Sequence, residues 1–153
     1  MTDLRRLMGI DHGERRIGVA LTDPLCLFAS PHSIIEVAAP ENTLEILADL
    51  VSQQAVAKVI VGLPTATDGG VGKQGAVVIR WARTLKERLS IPIILWDESY
   101  TSEDAGELAG QRIRRGEPID DIAAALILQD YLGARGAGNH EPGQPLETFN
   151  DIE

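Results

Sequence analysis

Carboxylates stand at three widely separated points of this 153-residue chain, each where an element is expected to end or begin: Asp11, the pair Asp97-Glu98, and the pair Asp120-Asp121. Asp11 ends an apolar strand and is followed by His12-Gly13, which poises its side chain at a sharp turn. Asp97 and Glu98 end a later strand. Asp120 and Asp121 precede the final helix, whose N-terminal dipole favours an anion. Ligand and catalytic sites gather where the strands of such sheets end, so acids far apart in sequence can converge on one edge. Carboxylates brought together repel and raise one another's pKa unless a cation joins them. A hard divalent ion taking oxygen ligands, Mg²⁺ or Mn²⁺, suits such a set. Each acid also has a structural reading: Asp120 as a helix N-cap, Asp97 and Glu98 as ordinary loop carboxylates. The sequence carries no Ser-His-Asp pattern, CxxC pair or P-loop.

The elements that must position these acids are legible in the apolar pattern. Leu4 to Asp11 reads as a strand. Arg16 to Thr22 alternates, with Gly18 and Ala20 between Ile17, Val19 and Leu21, the mark of a half-buried strand. The tight connection His12 to Arg15 predicts a hairpin between the two. Leu27 to Val37 is expected to be a third strand, where Pro31 indicates an edge or a bulge. Glu41 to Gln54 has a helical stripe, and Val59-Ile60-Val61 reads as a strand buried on both faces. A polar, glycine-rich loop runs to Gly72. Lys73 to Leu89 follows as the clearest helix, with Val78, Trp81, Ala82, Leu85 and Leu89 on one stripe. Ile91 to Trp96 is a further strand; Ser102 to Arg115 and Asp121 to Leu132 are helices.

This order predicts one α/β domain over residues 1–133. Its five-stranded mixed sheet would be an antiparallel meander of three strands followed by two parallel strands on right-handed crossovers. Residues 134–153, rich in Gly, Pro and acids without an apolar period, are expected to form a disordered acidic tail.

Composition narrows the class. The chain is 44% hydrophobic and 24% charged, ordinary for a globular protein. A single cysteine, Cys26, excludes an internal disulfide and reads as a small buried hydrophobe. No signal-peptide pattern or apolar run long enough to span a membrane is visible, so the cytoplasm is the expected compartment. With 23 acidic against 14 basic residues, the net charge of −9 argues against blanket binding to phosphates. A phosphate-directed enzyme of this charge must concentrate its basic residues locally, as at Arg15-Arg16, and bring cations to the phosphate.

Four blocks add a resemblance. GIDHGERRIGVALTD (Gly9 to Asp23), VIVGLPTATDGG (Val59 to Gly70), WDESYTSEDA (Trp96 to Ala105) and IDDIAAALILQDYL (Ile119 to Leu132) occur in this order. They resemble the motifs of the YqgF/RuvX family of Holliday-junction-resolvase-like, pre-16S rRNA nucleases, within the RNase H-like superfamily. The resemblance implies an RNase H-like fold, with Asp11, Glu98 and Asp120 as catalytic, metal-binding acids and Asp120 preferred to Asp121. It places Arg15, Arg16, Thr65, Asp68 and Gly69 near the nucleic-acid backbone and leaves open whether Asp97 or Asp68 joins the acids. The chain departs from the family pattern at Ala66, Ser99 and Glu117.

The expected activity is two-metal hydrolysis of a phosphodiester, with Mg²⁺ or Mn²⁺ bridged by Asp11. The implied substrate is precursor rRNA, in ribosome biogenesis, or branched DNA, in recombination and repair. Such a protein would act as a monomer or homodimer. The competing readings are a catalytically silent RNase H-like nucleic-acid-binding module and an actin-like nucleotide-binding fragment.

Overall fold

The computed structural model describes residues 5–38, 40–66, 68–98, 105–136, 138 and 141–152. Among the described residues six strands, one more than expected, form one sheet in the order β3-β2-β1-β4-β5-β6. They are β1 (Arg6–His12), β2 (Arg16–Thr22), β3 (Ala29–Glu36), β4 (Val56–Leu63), β5 (Ile93–Asp97) and β6 (Gln144–Pro145). The helices are α1 (Pro40–Gln53), α2 (Lys73–Lys86), α3 (Gly106–Arg114) and α4 (Asp120–Gly136). β1, β2 and β3 are the expected antiparallel meander, and β4 and β5 run parallel to β1. Pro31 lies on the edge strand β3 beside a register shift, where a missing N–H leaves no ladder position unpaired. The expected strand start at Leu4, helix start at Ser102 and departure at Ser99 lie outside the described residues.

Two cores follow from strand alternation. Met8, Ile10, Ile17, Val19, Val59, Val61, Ile93 and Leu95 face α1 and α2, where Leu44, Leu47, Val78, Ile79, Ala82 and Leu85 complete a buried cluster. Fully burying each such Leu or Ile side chain contributes roughly 1.5–3 kcal/mol. The opposite face carries Leu7, Ala20, Ile60 and Ile94 against Ala124, Ile127, Leu128 and Tyr131 of α4.

β2 is therefore buried on both sides, not half-buried as its alternation suggests. Its small residues Gly18 and Ala20 are filled over by a helix. The glycines make this possible. A Cβ on Gly9 would lie 2.7 Å from the Ala124 carbonyl oxygen and 2.8 Å from Leu128 Cβ, and one on Gly18 would overlap the Asp120 carbonyl group. A Cβ on Gly62 would lie 2.5 Å from Ile127 Cδ1. One glycine on each of β1, β2 and β4 thus lets α4 descend until its backbone touches the sheet.

The C-terminal segment corrects the expectation of a disordered tail from residue 134. α4 continues to Gly136, β6 pairs with β5, and Leu146–Phe149 form a 3-10 turn. Leu146 is only 3% exposed, and Phe149 and Ile152 pack against the α1–α2 core. Arg83 Nη1 donates to the Ile152 carbonyl at 2.5 Å, and its Nη2 donates to that of Phe149. Three apolar residues spaced by three are enough to dock a turn, yet too few to register as a helical or strand period. No helix among the described residues is long and apolar enough to cross a membrane.

Candidate active site

Because β1, β4 and β5 are parallel, their C-terminal ends, His12, Leu63 and Asp97, lie at one end of the sheet. Antiparallel β2 begins there, at Arg16. Alternation then decides which side chains face α4. Leu7 and Gly9 lie on that face, so Asp11 does too, whereas His12 turns to the opposite face and stacks on Trp81 at 4.6 Å between ring centroids. Burial there lowers the His12 pKa, and the ring belongs to the core rather than to the acid cluster.

The same parity separates Asp97 from Glu98. Ile94 and Trp96 face α4, so Asp97 is exposed on the other side and Glu98 comes round to the α4 face. Glu98 N donates to the Leu63 carbonyl at 3.2 Å, extending the β4–β5 pairing by one residue and fixing the turn. The Glu98 side chain lies over Gly62, where a Cβ would stand 2.7 Å from Oε1. Gly62 is a positioning residue that the sequence reading passed over. Its signal was a glycine ending an otherwise β-branched run, Val59-Ile60-Val61.

Asp11 and Glu98, both half-buried, lie close enough for each to act on the other. Asp11 is pushed up from 3.8 to about 7, first by burial, then by the charges of Glu98 and Asp120. Burial also raises Glu98.

Asp120 is the first residue of α4. Ile119, not Asp120, stands at the cap position, its carbonyl accepting from Ala123 N at 2.9 Å. The Asp120 carboxylate accepts instead from Arg16 Nε at 3.0 Å. Asp121 turns away: it is 6% exposed and takes Arg112 Nη1 of α3 at 2.5 Å. Two adjacent aspartates thus have separate tasks, one facing Asp11 and one joining α3 to α4.

Of the residues expected near a nucleic-acid backbone, Arg16 reaches the acid cluster. Arg15 is exposed at the β1–β2 turn, where its carbonyl accepts from Val37 N. Thr65, Asp68 and Gly69 are exposed in the loop after β4, at the same end of the sheet. That loop closes on itself. Ala66 N donates to Gly70 O and Gly69 N to Ala66 O, both at 2.8 Å, while Asp68 Oδ1 accepts from Gly70 N at 2.9 Å. Gly69 takes φ +85, a conformation that favours glycine. Asp68 is thereby committed to its own turn, and the charges acting on Asp11 are those of Glu98 and Asp120.

Three carboxylates within electrostatic reach offer the oxygen donors that a hard divalent cation takes, although among the described residues no three such side chains close on a common ion position. Asp11 and Glu98 would hold it, with Asp120 beside them and turned to Arg16. A cation there would supply what a proton supplies, positive charge between two half-buried carboxylates.

A mixed sheet of this order, with acids at the ends of its first and fifth strands and at the start of a helix packed across it, defines an RNase H-like α/β protein. RuvC of Thermus thermophilus, solved in complex with a Holliday junction substrate, shares the fold: TM-score 0.59, 15% identity, 92% of this chain and 99% of that one. A second Thermus thermophilus RuvC structure gives a TM-score of 0.60 at 12% identity over the same shares. The model of the RuvX family, described as Holliday junction resolvase, matches residues 5–134. A protein of Desulforudis audaxviator named "Putative pre-16S rRNA nuclease" is 39% identical over 140 residues, 88% of this chain and 99% of its own. Its namesake in Syntrophus aciditrophicus is 42% identical over 134 residues, 84% and 89% of the two chains. The chain belongs to the RuvX family of nucleases, hydrolases of phosphodiester bonds.

Proposed function

We propose that the protein is a divalent-metal-dependent nuclease acting on structured nucleic acid: the 5′ end of precursor 16S rRNA in the cytoplasm, or branched DNA of the Holliday-junction kind. The observation that carries the reading is the meeting of Asp11 and Glu98, both half-buried, at one end of the sheet, beside the α4 start that bears Asp120. Bringing two half-buried carboxylates together is unfavourable without a compensating cation, and neither acid packs in the core. The names borne by relatives, pre-16S rRNA nucleases and a junction-bound resolvase, supply the two substrate classes.

Mg²⁺ or Mn²⁺ bound here would polarise the scissile phosphate and lower the pKa of the attacking water. The chain's own part is positional. β1 and the β5 end aim Asp11 and Glu98 at one point, and Gly62 leaves room for the Glu98 side chain. The α4 N-terminus adds Asp120 together with a helix dipole favourable to anionic groups. Arg16, at the margin of the acids, offers a guanidinium that matches a phosphate in two hydrogen bonds. This local charge answers the net charge of −9: affinity for phosphate comes from a few placed cations rather than from a basic surface.

The reading is tested by offering purified protein a panel of structured pre-16S leader RNA, linear duplexes and four-way junction DNA, each with Mg²⁺, Mn²⁺ or EDTA. Cleavage of one structured substrate that needs the metal is expected. Binding without cleavage under every condition would mark a silent nucleic-acid-binding module, and cleavage undiminished after exhaustive chelation would refute the metal-dependent mechanism.

A further inference from the structure

Asp120 does not join the Asp11–Glu98 pair as a third free carboxylate. Its Oδ2 accepts from Arg16 Nε at 3.0 Å, with the two side chains 36% (Arg16) and 21% (Asp120) exposed. The contact follows from the sheet. Arg16 and Gly18 stand two residues apart on the α4 face of β2, and Asp120 rests on Gly18, which sets guanidinium and carboxylate side by side. Among the described residues, no three His, Cys, Asp or Glu side chains close on a common ion position. Yet Asp120 rests on Gly18, the cross-strand partner of Asp11, so the third acid is near the pair while turned to the arginine.

We propose that Arg16 is the exchangeable counter-ion of Asp120. A divalent cation held by Asp11 and Glu98 competes with the Arg16 guanidinium for the Asp120 carboxylate, and the displaced guanidinium is delivered to the substrate phosphate. This rests on the metal-dependent reading above and adds to it a coupling between the two binding events. A single contact through Nε, partly open to water, is an ion pair of the weakly held kind. A guanidinium has four further N–H donors arranged for a phosphate, so the exchange leaves neither charge unpaired: Asp120 passes from arginine to cation, and Arg16 from carboxylate to phosphate. Metal and phosphodiester then favour each other's binding, and reciprocally so.

The test is calorimetric titration of Mn²⁺ into wild type, Arg16→Gln, Asp120→Asn and the double variant, with no substrate present. Arg16→Gln is expected to bind Mn²⁺ about five- to tenfold tighter, the scale of a released, partly exposed ion pair and of one fewer nearby positive charge. In the Asp120→Asn background, the same substitution is expected to give little of that gain, because no carboxylate is left to free. On a substrate that the wild type cuts, Arg16→Gln is expected to raise KM although it holds metal better, opposite movements that a merely structural role would not produce. Arg16→Met, which keeps the aliphatic stem, carries the same expectations should the glutamine variant fail to fold. Mn²⁺ binding by Arg16→Gln no tighter than wild type overturns the proposal, as does a gain of equal size with and without Asp120. Wild-type protein that takes up no Mn²⁺ overturns the metal-dependent reading itself, a distinct result.

Discussion

Asp11 and Gly18 are cross-strand partners in the β1–β2 ladder, and the same glycine is the seat of Asp120. One residue without a side chain therefore sets two of the three acids against each other across the ladder. A Cβ at position 18 would overlap the Asp120 backbone, and backbone cannot turn aside as a side-chain tip can. Gly18→Ala is predicted to lift the start of α4 and to cost about 1–3 kcal/mol or more, as overpacking does. For a chain of this size that lowers Tm by roughly 2–12 °C. Cleavage should fall further than stability alone explains, because Asp120 moves with the helix. Thermal melts and turnover at a temperature where the variant is folded check both; a variant that melts and cuts like wild type would contradict the seat.

The neighbours Asp120 and Asp121 should separate function from stability. Asp120→Asn keeps the shape of a side chain that caps nothing, so Tm is predicted to stay within about 2 °C while cleavage is lost. Asp121→Asn removes the charge that answers Arg112 at a site 6% exposed, and a loss of about 1–3 kcal/mol with cleavage retained is expected. Melts and turnover of both variants, measured side by side, decide it. The opposite pattern would exchange the roles of the two residues.

The acid pair makes a signed prediction for pH. A carboxyl whose folded pKa is raised from 3.8 to about 7 contributes stability that is fully present below about pH 4 and is lost as pH rises through 7. In protein freed of metal, the Tm difference between wild type and Asp11→Asn is therefore expected to shift against the wild type between pH 4 and 7. Saturating Mn²⁺ should abolish the shift, since the cation takes the place of the proton. Melts across that range with EDTA and with Mn²⁺ measure it; a difference independent of pH would show that Asp11 titrates as an ordinary exposed aspartate.

The C-terminal segment is predicted to be structural. Leu146→Ala should destabilise by about 2–3 kcal/mol, the cost of emptying a buried leucine site. Deletion of residues 141–153 should cost more, because Phe149, Ile152 and the carbonyls held by Arg83 go with it. Chemical denaturation checks both. A truncated protein as stable as the full chain would show that the segment adds nothing to the fold.

Much of this arrangement was legible in the sequence because it rests on periodicity. Strand alternation, carried to the strand ends, puts Asp11 and Glu98 on one face and His12 and Asp97 on the other. Pro31 marked the edge strand by its missing N–H. What escaped the reading depends on tertiary fit. Gly18 and Ala20 looked like the wet side of a half-buried strand, because a pattern of small residues does not distinguish water from an alanine-rich helix pressed close. The docking of Leu146, Phe149 and Ile152 was hidden by proline, glycine and acid around them. The Arg16–Asp120 pair joins residues 104 apart in the chain and leaves no local signature.

The most direct measurement of the central claim is the turnover of Asp11→Asn on a substrate that the wild type cuts in Mg²⁺. The amide keeps the shape of the side chain and removes one of the charges that would hold a cation. Groups that merely orient metal ligands cost about 10–100-fold when altered, so a ligand itself should cost more. Turnover is expected to fall by more than about 100-fold, with the metal-free fold intact at pH 7. Turnover equal to wild type, from a variant shown to be free of reversion, would contradict the assignment of this acid cluster as the active site.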